Sequence, residues 1–149
     1  MPASHPPSVL TRAEKTLRSE CAVVRGDRIL VAVSGGVDSM SLLQVLVSQQ
    51  QPLGFKAIAH GIDHGLRAEA SAELDQAERF ANQLGVDFTR SVLRLKAGGN
   101  IQHRAREARY AALTTAAERS RATLIATAHH ADHASGSSWR PHKPRFWSS

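Results

Sequence analysis

The chain has 149 residues, is 42% hydrophobic and 21% charged, and carries a net charge of +6. That is room for one globular domain, with too much patterned apolar sequence for a disordered chain and no run near the roughly 20 apolar residues of a membrane span. Its single Cys21 excludes an internal disulfide, a paired-cysteine redox centre or a cluster site. The charge divides unevenly: +3 sits in residues 134–149, where Arg140, Lys143 and Arg145 meet no acid. The remaining body is mildly basic, which permits a polyanionic partner without demanding one.

Met1-Pro2-Ala3-Ser4-His5-Pro6-Pro7 reads as a disordered leader without the basic and apolar regions of a secretory signal, so a cytoplasmic protein is expected. A first helix is predicted from about Ser8 to Val23, with Thr11 as N-cap. Ile29-Leu30-Val31-Ala32-Val33 is a short β-branched run, as expected of a strand buried on both faces. Ser34-Gly35-Gly36 breaks it, and a helix follows from Asp38 through Gln49. A second strand spans Gly54 to Ile62 and ends in Asp63-His64-Gly65. Ala70, Leu74, Ala77, Ala81 and Leu84 then hold a helical register, with Gly85 at the C′ position. Val86 to Leu95 supplies a third strand. After Gly98-Gly99, with Asn100 as N-cap, a helix carries Ile101, Ala105, Ala108 and Ala112 on one face, flanked by Arg104 and Arg109. Ala122 to Ala128 is the fourth strand. Strands alternating with helices predict an α/β fold, a parallel sheet with helices on both faces.

From Ala134 the chain shows no period of 2 or 3.6, although Trp139, Phe146 and Trp147 fall there. Residues 134–149 therefore read as an irregular basic tail with nothing to bury its aromatics. The expectation is a sheet incomplete at its C-terminal edge, with the fourth strand unprotected. A shift of reading frame near His133 would account for the abrupt loss of pattern; a natural basic tail is the alternative.

The chemistry concentrates in Ser34-Gly35-Gly36-Val37-Asp38-Ser39, between a buried strand and a helix. Glycines let the backbone approach a ligand closely, and the helix N-terminus offers free N–H groups and a positive dipole end. The Ser34 and Ser39 hydroxyls can donate to the same oxygens. Asp38 would repel a bare anion, so a bridging Mg²⁺ is implied. A glycine turn with a serine cap explains Gly35-Gly36 alone; strand, glycine pair, Asp and Ser in this order favour phosphate. Neither G-x-x-x-x-G-K-[ST] nor G-x-G-x-x-G occurs, and H-E-x-x-H is absent around His129 and His130.

The hexapeptide resembles the PP-loop, S-G-G-x-D-S, of the ATP pyrophosphatases. Asp63-His64-Gly65-Leu66-Arg67 resembles the D-H-G-L-R of tRNA(Ile)-lysidine synthetases. Asn100-Ile101-Gln102 with Ala105-Arg106-Glu107-Ala108-Arg109-Tyr110 is similar to their N-x-Q…A-R-x-x-R-Y helix. Ala128-His129-His130-Ala131-Asp132 resembles the start of their A-H-H-A-D-D-x-x-E-T motif. The resemblance covers about residues 8–133 and implies part of a PP-loop ATP-binding domain, Rossmann-like in architecture.

By that resemblance the enzyme is a ligase forming a carbon–nitrogen bond. In that family ATP adenylates the wobble cytidine of tRNA(Ile), and free lysine displaces the AMP. Ser34, Gly35, Gly36, Val37, Asp38 and Ser39 would bind ATP, and Asp38 and Asp132 would act in catalysis by holding Mg²⁺. His64, Arg67, Arg106 and Arg109 would face nucleotide or substrate. This chain departs from the motif after Asp132: it reads His133-Ala134-Ser135 where the family has the second Asp and, further on, E-T. A non-catalytic ATP-binding module, or an inactive fragment of such an enzyme, is accordingly the alternative expectation.

Overall fold

The computed structural model describes residues 14–34, 36–65, 68–96, 98–128 and 144–148. The first helical segment, α1 (Thr16–Glu20), ends in a wide turn in which Cys21 N–H donates to the Thr16 carbonyl, five residues back, at 3.0 Å. The predicted cap Thr11 lies outside the described residues.

Four strands and three helices follow in the anticipated alternation: β1 (Arg28–Val33), α2 (Val37–Leu53), β2 (Lys56–Asp63), α3 (Glu69–Gln83), β3 (Asp87–Val92), α4 (Ile101–Ser120) and β4 (Leu124–Thr127). A last strand, β5 (Arg145–Ser148), completes a sheet of order β3-β2-β1-β4-β5, parallel throughout. β1 is the middle strand, and its Ile29, Leu30 and Val31 have no exposed surface. Burial of such a side chain is worth about 1.5–3 kcal/mol, so this strand anchors the fold. Its alternate residues serve two cores. Ile29, Val31 and Val33 pack with Leu17 of α1 and Leu43 and Leu46 of α2, in a cluster that reaches Ala77 and Ala81 of α3. Leu30 and Ala32 pack on the other face with Leu113 and Ala117 of α4. Helices thus cover both faces, as expected.

Local chemistry sets the element ends. α2 runs past the expected Gln49 through Pro52 and stops at Gly54, whose φ of 76° suits glycine. At the end of α3, Gly85 N–H donates to Asn82 and Val86 N–H to Ala81, the paired C-terminal bonds anticipated for a glycine there. Asn100 precedes α4 with φ 57° and makes no side-chain cap bond, contrary to expectation; its tolerance of left-handed backbone serves the turn instead. The α4 stripe also differs. The residues buried are Ala105, Leu113 and Ala117, with Ala108 and Ala112 only half-buried. Arg109 lies on that line at fourfold spacing rather than beside it.

The expectation of an unprotected β4 edge is corrected. β5 pairs Leu124 with Arg145 through Thr127 with Ser148. The Thr127 and Ser148 hydroxyls lie 2.9 Å apart, and Arg145 donates to the Cys21 carbonyl at 2.5 Å. Phe146 meets the Tyr110 ring edge-on at 5.0 Å, while Trp147 packs against the α1–α2 core. A strand this short cannot display a period, yet alternating aromatics with high strand propensity find one partner on each face. Residues 129–143, including the rest of the supposed irregular tail, lie outside the described residues.

Removing residues 145–149 should lower the thermal midpoint and raise light scattering on heating, because it exposes the β4 edge and the surface under Trp147. Unchanged melting and scattering would mean that β5 contributes nothing to the fold.

Candidate functional site

β1 delivers the chain to the C-terminal edge of the sheet, and only Ser34, Gly35 and Gly36 separate it from α2. Gly35 lies outside the described residues. The turn is braced from within: Ser34 N–H donates to Ser39 Oγ at 3.0 Å, the two hydroxyl oxygens stand 3.3 Å apart, and Gly36 N–H reaches Ser34 Oγ at 3.4 Å. Ser39 is buried, and its hydroxyl also donates to the Gly36 carbonyl at 3.2 Å. Helix bonding begins with Met40 N–H to the Gly36 carbonyl at 3.1 Å. The N–H groups of Val37, Asp38 and Ser39 precede it, in the first turn where an anion is favoured. Val37 is 80% exposed at the apex, and Asp38 is exposed beside it.

Gly36 has φ −74°, which any residue adopts, and a Cβ built on it would meet only Ser34 Oγ at 3.4 Å. The fold itself has little need of glycine here. A ligand seated on the backbone of this turn would need it.

This turn opens into a cavity of about 680 Å³, within the range of small-molecule sites. Its lining joins Ser34, Gly36, Val37, Asp38 and Ser39 to His60, Ile62 and His64 of the β2 end, to Glu73 and Gln76 of α3, and to Arg109 of α4. A guanidinium, imidazoles, hydroxyls and carboxylates therefore converge on one space. Of the expected substrate residues, His64 and Arg109 are brought to it. Arg106 is exposed, with its guanidinium 5.9 Å from the Tyr110 ring centre, and does not line the cavity. Arg67 and Asp132 lie outside the described residues. Arg104, which flanks the predicted stripe, donates to the Lys96 and Gly99 carbonyls at 2.9 and 3.2 Å and braces the entry to α4.

The Asp63-His64-Gly65 turn divides its labour. Asp63 Oδ1 accepts the Gly65 N–H at 2.8 Å, and the Asp63 carbonyl accepts Leu93 N–H at 2.7 Å. Gly65 has φ 69°, and a Cβ there would lie 2.9 Å from the Leu93 carbonyl oxygen. Asp63 and Gly65 shape the turn, and His64 between them faces the cavity.

ATP and Mg²⁺ can be tested against these residues. Free amides at a helix start, a close glycine approach and a cavity of sufficient volume suit a polyphosphate. Among the described residues no three His, Cys, Asp or Glu side chains gather as a metal site. Mg²⁺ nevertheless commonly takes one or two carboxylates together with substrate phosphates, and Asp38 fits that role.

Sequence reasoning missed His60, Glu73 and Gln76. His60 is buried on β2, its Nδ1 lies 2.6 Å from Thr89 Oγ1, and its Nε2 lies 2.8 Å from Ser91 Oγ. The signal was present: a polar residue between Ile58 and Ile62 on an inward register, matched by Thr-x-Ser on the next strand. Burial pushes the imidazole down from the ordinary 6.5 to about 4, so the ring is neutral at pH 7. A depressed folded-state value means the unfolded chain binds more protons between those limits. Its contribution to stability is therefore complete above pH 6.5 and is lost as pH falls towards 4. Thermal melts across this range should show a steeper acid loss for the wild type than for His60→Asn. Parallel curves would place the ring in contact with water.

Comparison with known proteins adds kinship. The sequence model of the PP-loop domain matches residues 8–135. The tRNA(Ile)-lysidine synthase of Novosphingobium aromaticivorans is 41% identical over 105 residues, covering 70% of this chain and 31% of that protein. That of Ralstonia nicotianae is 37% identical over 126 residues, covering 80% and 27%, and that of Streptococcus sanguinis is 40% identical over 107 residues, covering 70% and 24%. The chain thus spans less than a third of these relatives' length. Among solved structures, a U34-tRNA thiolase from Methanococcus maripaludis superposes with a TM-score of 0.75 at 14% identity, covering 93% of this chain and 57% of that one. The NH3-dependent NAD synthetase of Campylobacter jejuni gives 0.56 at 13% identity, covering 78% and 53%. At such identities the likeness is one of fold.

Proposed function

Since the chain belongs to the PP-loop domain family, we propose that it is the ATP-binding part of a tRNA(Ile)-lysidine synthase type of ligase. The observation that carries the reading is Gly36: a glycine that the fold does not require, at the mouth of a cavity and against the amides of a helix start. In this reading Ser34, Gly35, Gly36, Val37 and Ser39 bind the phosphates of ATP, chiefly through backbone N–H groups and fixed hydroxyls. Asp38, joined by Asp132, holds Mg²⁺. When bound, ATP supplies an activated phosphorus that turns a poor oxygen leaving group into a good one. The residues provide preorganised charge around that phosphorus, a contribution typically worth 10²–10³ in rate for one donor.

Kinship with tRNA(Ile)-lysidine synthases and the Asp63–Arg67 and Asn100–Tyr110 motifs support the wobble cytidine of tRNA(Ile) as acceptor and free lysine as nucleophile. His64 and Arg109 serve nucleotide or substrate at the cavity, and Arg67 and Arg106 are assigned to substrate by their motifs. A second reading, an ATP-binding module that does not complete the reaction, is favoured by one observation: His133-Ala134-Ser135 stands where the motif continues with its second acid.

Calorimetric titration with Mg-ATP distinguishes binding from packing. Gly36→Ala should melt within a degree or two of the wild type while binding about tenfold more weakly or worse, about 1.4 kcal/mol. Equal affinities would remove the phosphate assignment. Incubation of the chain with ATP, labelled lysine and tRNA(Ile) separates the two readings. One missing acidic contact should leave incorporation about 10²–10³ below that of a full-length relative. Turnover at the relative's level would exclude the non-catalytic reading.

A further inference from the structure

His60 meets the cavity in an unusual state, because each ring nitrogen is already engaged by a β3 hydroxyl, Thr89 at 2.6 Å and Ser91 at 2.8 Å. Two opposed bonds fix the ring's rotation, and what remains for the cavity is carbon. Ala32 and Ile62 line the cavity on the same sheet face, so this wall is apolar although the loop opposite is built of amides and hydroxyls. Thr89 and Ser91 are not part of the lining; Thr89 is exposed and Ser91 half-buried on the edge strand. A hydroxyl pair spent on orienting one imidazole is more than β3 needs for its own pairing, which the backbone register already supplies.

We infer that the Thr89–His60–Ser91 bridge is a positioning device: it holds the imidazole as a fixed wall for the nucleoside end of a bound nucleotide, apart from the phosphate loop. The inference rests on the ATP reading and adds to it two residues, Thr89 and Ser91, that touch no ligand. The ring's neutrality agrees, since a charged imidazole would be costly to bury beside Ala32 and Ile62.

The test compares two probes, Mg-ATP and Mg-pyrophosphate, on the full chain and on Thr89→Val, Ser91→Ala and the pair in a His60→Phe background. Affinities are measured where circular dichroism reports every variant folded. Each hydroxyl removed should weaken ATP roughly three- to tenfold, the range of one ordinary hydrogen bond, and leave pyrophosphate unchanged. With Phe at position 60 the two substitutions should no longer affect ATP, because they act only through the imidazole. Equal affinities for both probes in every variant would overturn the inference while leaving the phosphate site intact. A parallel loss of both probes would also overturn it, as a general effect on the fold. A wild-type chain that binds neither probe would remove the ATP reading itself, and the inference with it.

Discussion

A strand buried on both faces can leave a sheet only at its ends, and the chemistry of this protein follows from where β1 ends. Ile29 to Val33 sits between β2 and β4, beneath α2 on one side and α4 on the other, with almost no exposed surface. Its backbone pairs on both edges, so it cannot shift without displacing two neighbours and two cores. Three residues later α2 begins. The helix start is thereby held relative to the sheet by a strand that is buried on both faces and paired on both edges. Positioned amides are what polyphosphate recognition needs, because no reorganisation cost remains at binding. The same parallel arrangement brings the ends of β1, β2 and β4 to one edge, and α4 carries Arg109 to that edge along its buried line. Ligands of open α/β sheets collect there for this reason.

The alternation of strands and helices was legible because β1, β2 and β4 are apolar runs and α3 carries a clear stripe of Leu74, Ala77 and Ala81. The phosphate loop was legible because glycine pair, Asp and Ser follow a strand in sequence. What escaped notice depended on contacts between distant segments. β5 is too short for a period, and its partners Tyr110 and Cys21 are far away in the chain. His60 looked like one polar residue in an apolar strand; its meaning lies in Thr89 and Ser91 across the sheet. Arg104 and Arg109 look alike in the helix pattern, and only the turn at Gly98-Gly99 decides that one braces a loop while the other faces the cavity. Asn100 suited a cap by residue type, but the turn needed its backbone freedom more than its side chain.

The two ends of the cavity differ in kind. The loop end is polar and made largely of main chain, so side-chain substitutions there should matter less than a glycine's loss of access. The wall of Ala32, His60 and Ile62 is made of side chains, with the imidazole held in place by Thr89 and Ser91. In the proposed reading such a division would separate affinity for phosphate from recognition of the group that carries it.

The central claim is that the N–H groups at the start of α2 receive the phosphates. A titration of isotopically labelled protein with Mg-ATP, read amide by amide, addresses it directly. The account expects the largest, saturable shifts at Gly36, Val37, Asp38 and Ser39, with smaller ones at His60 and His64 and none along β5. Saturable shifts confined to another surface, or no shifts at the α2 start at millimolar nucleotide, would contradict it.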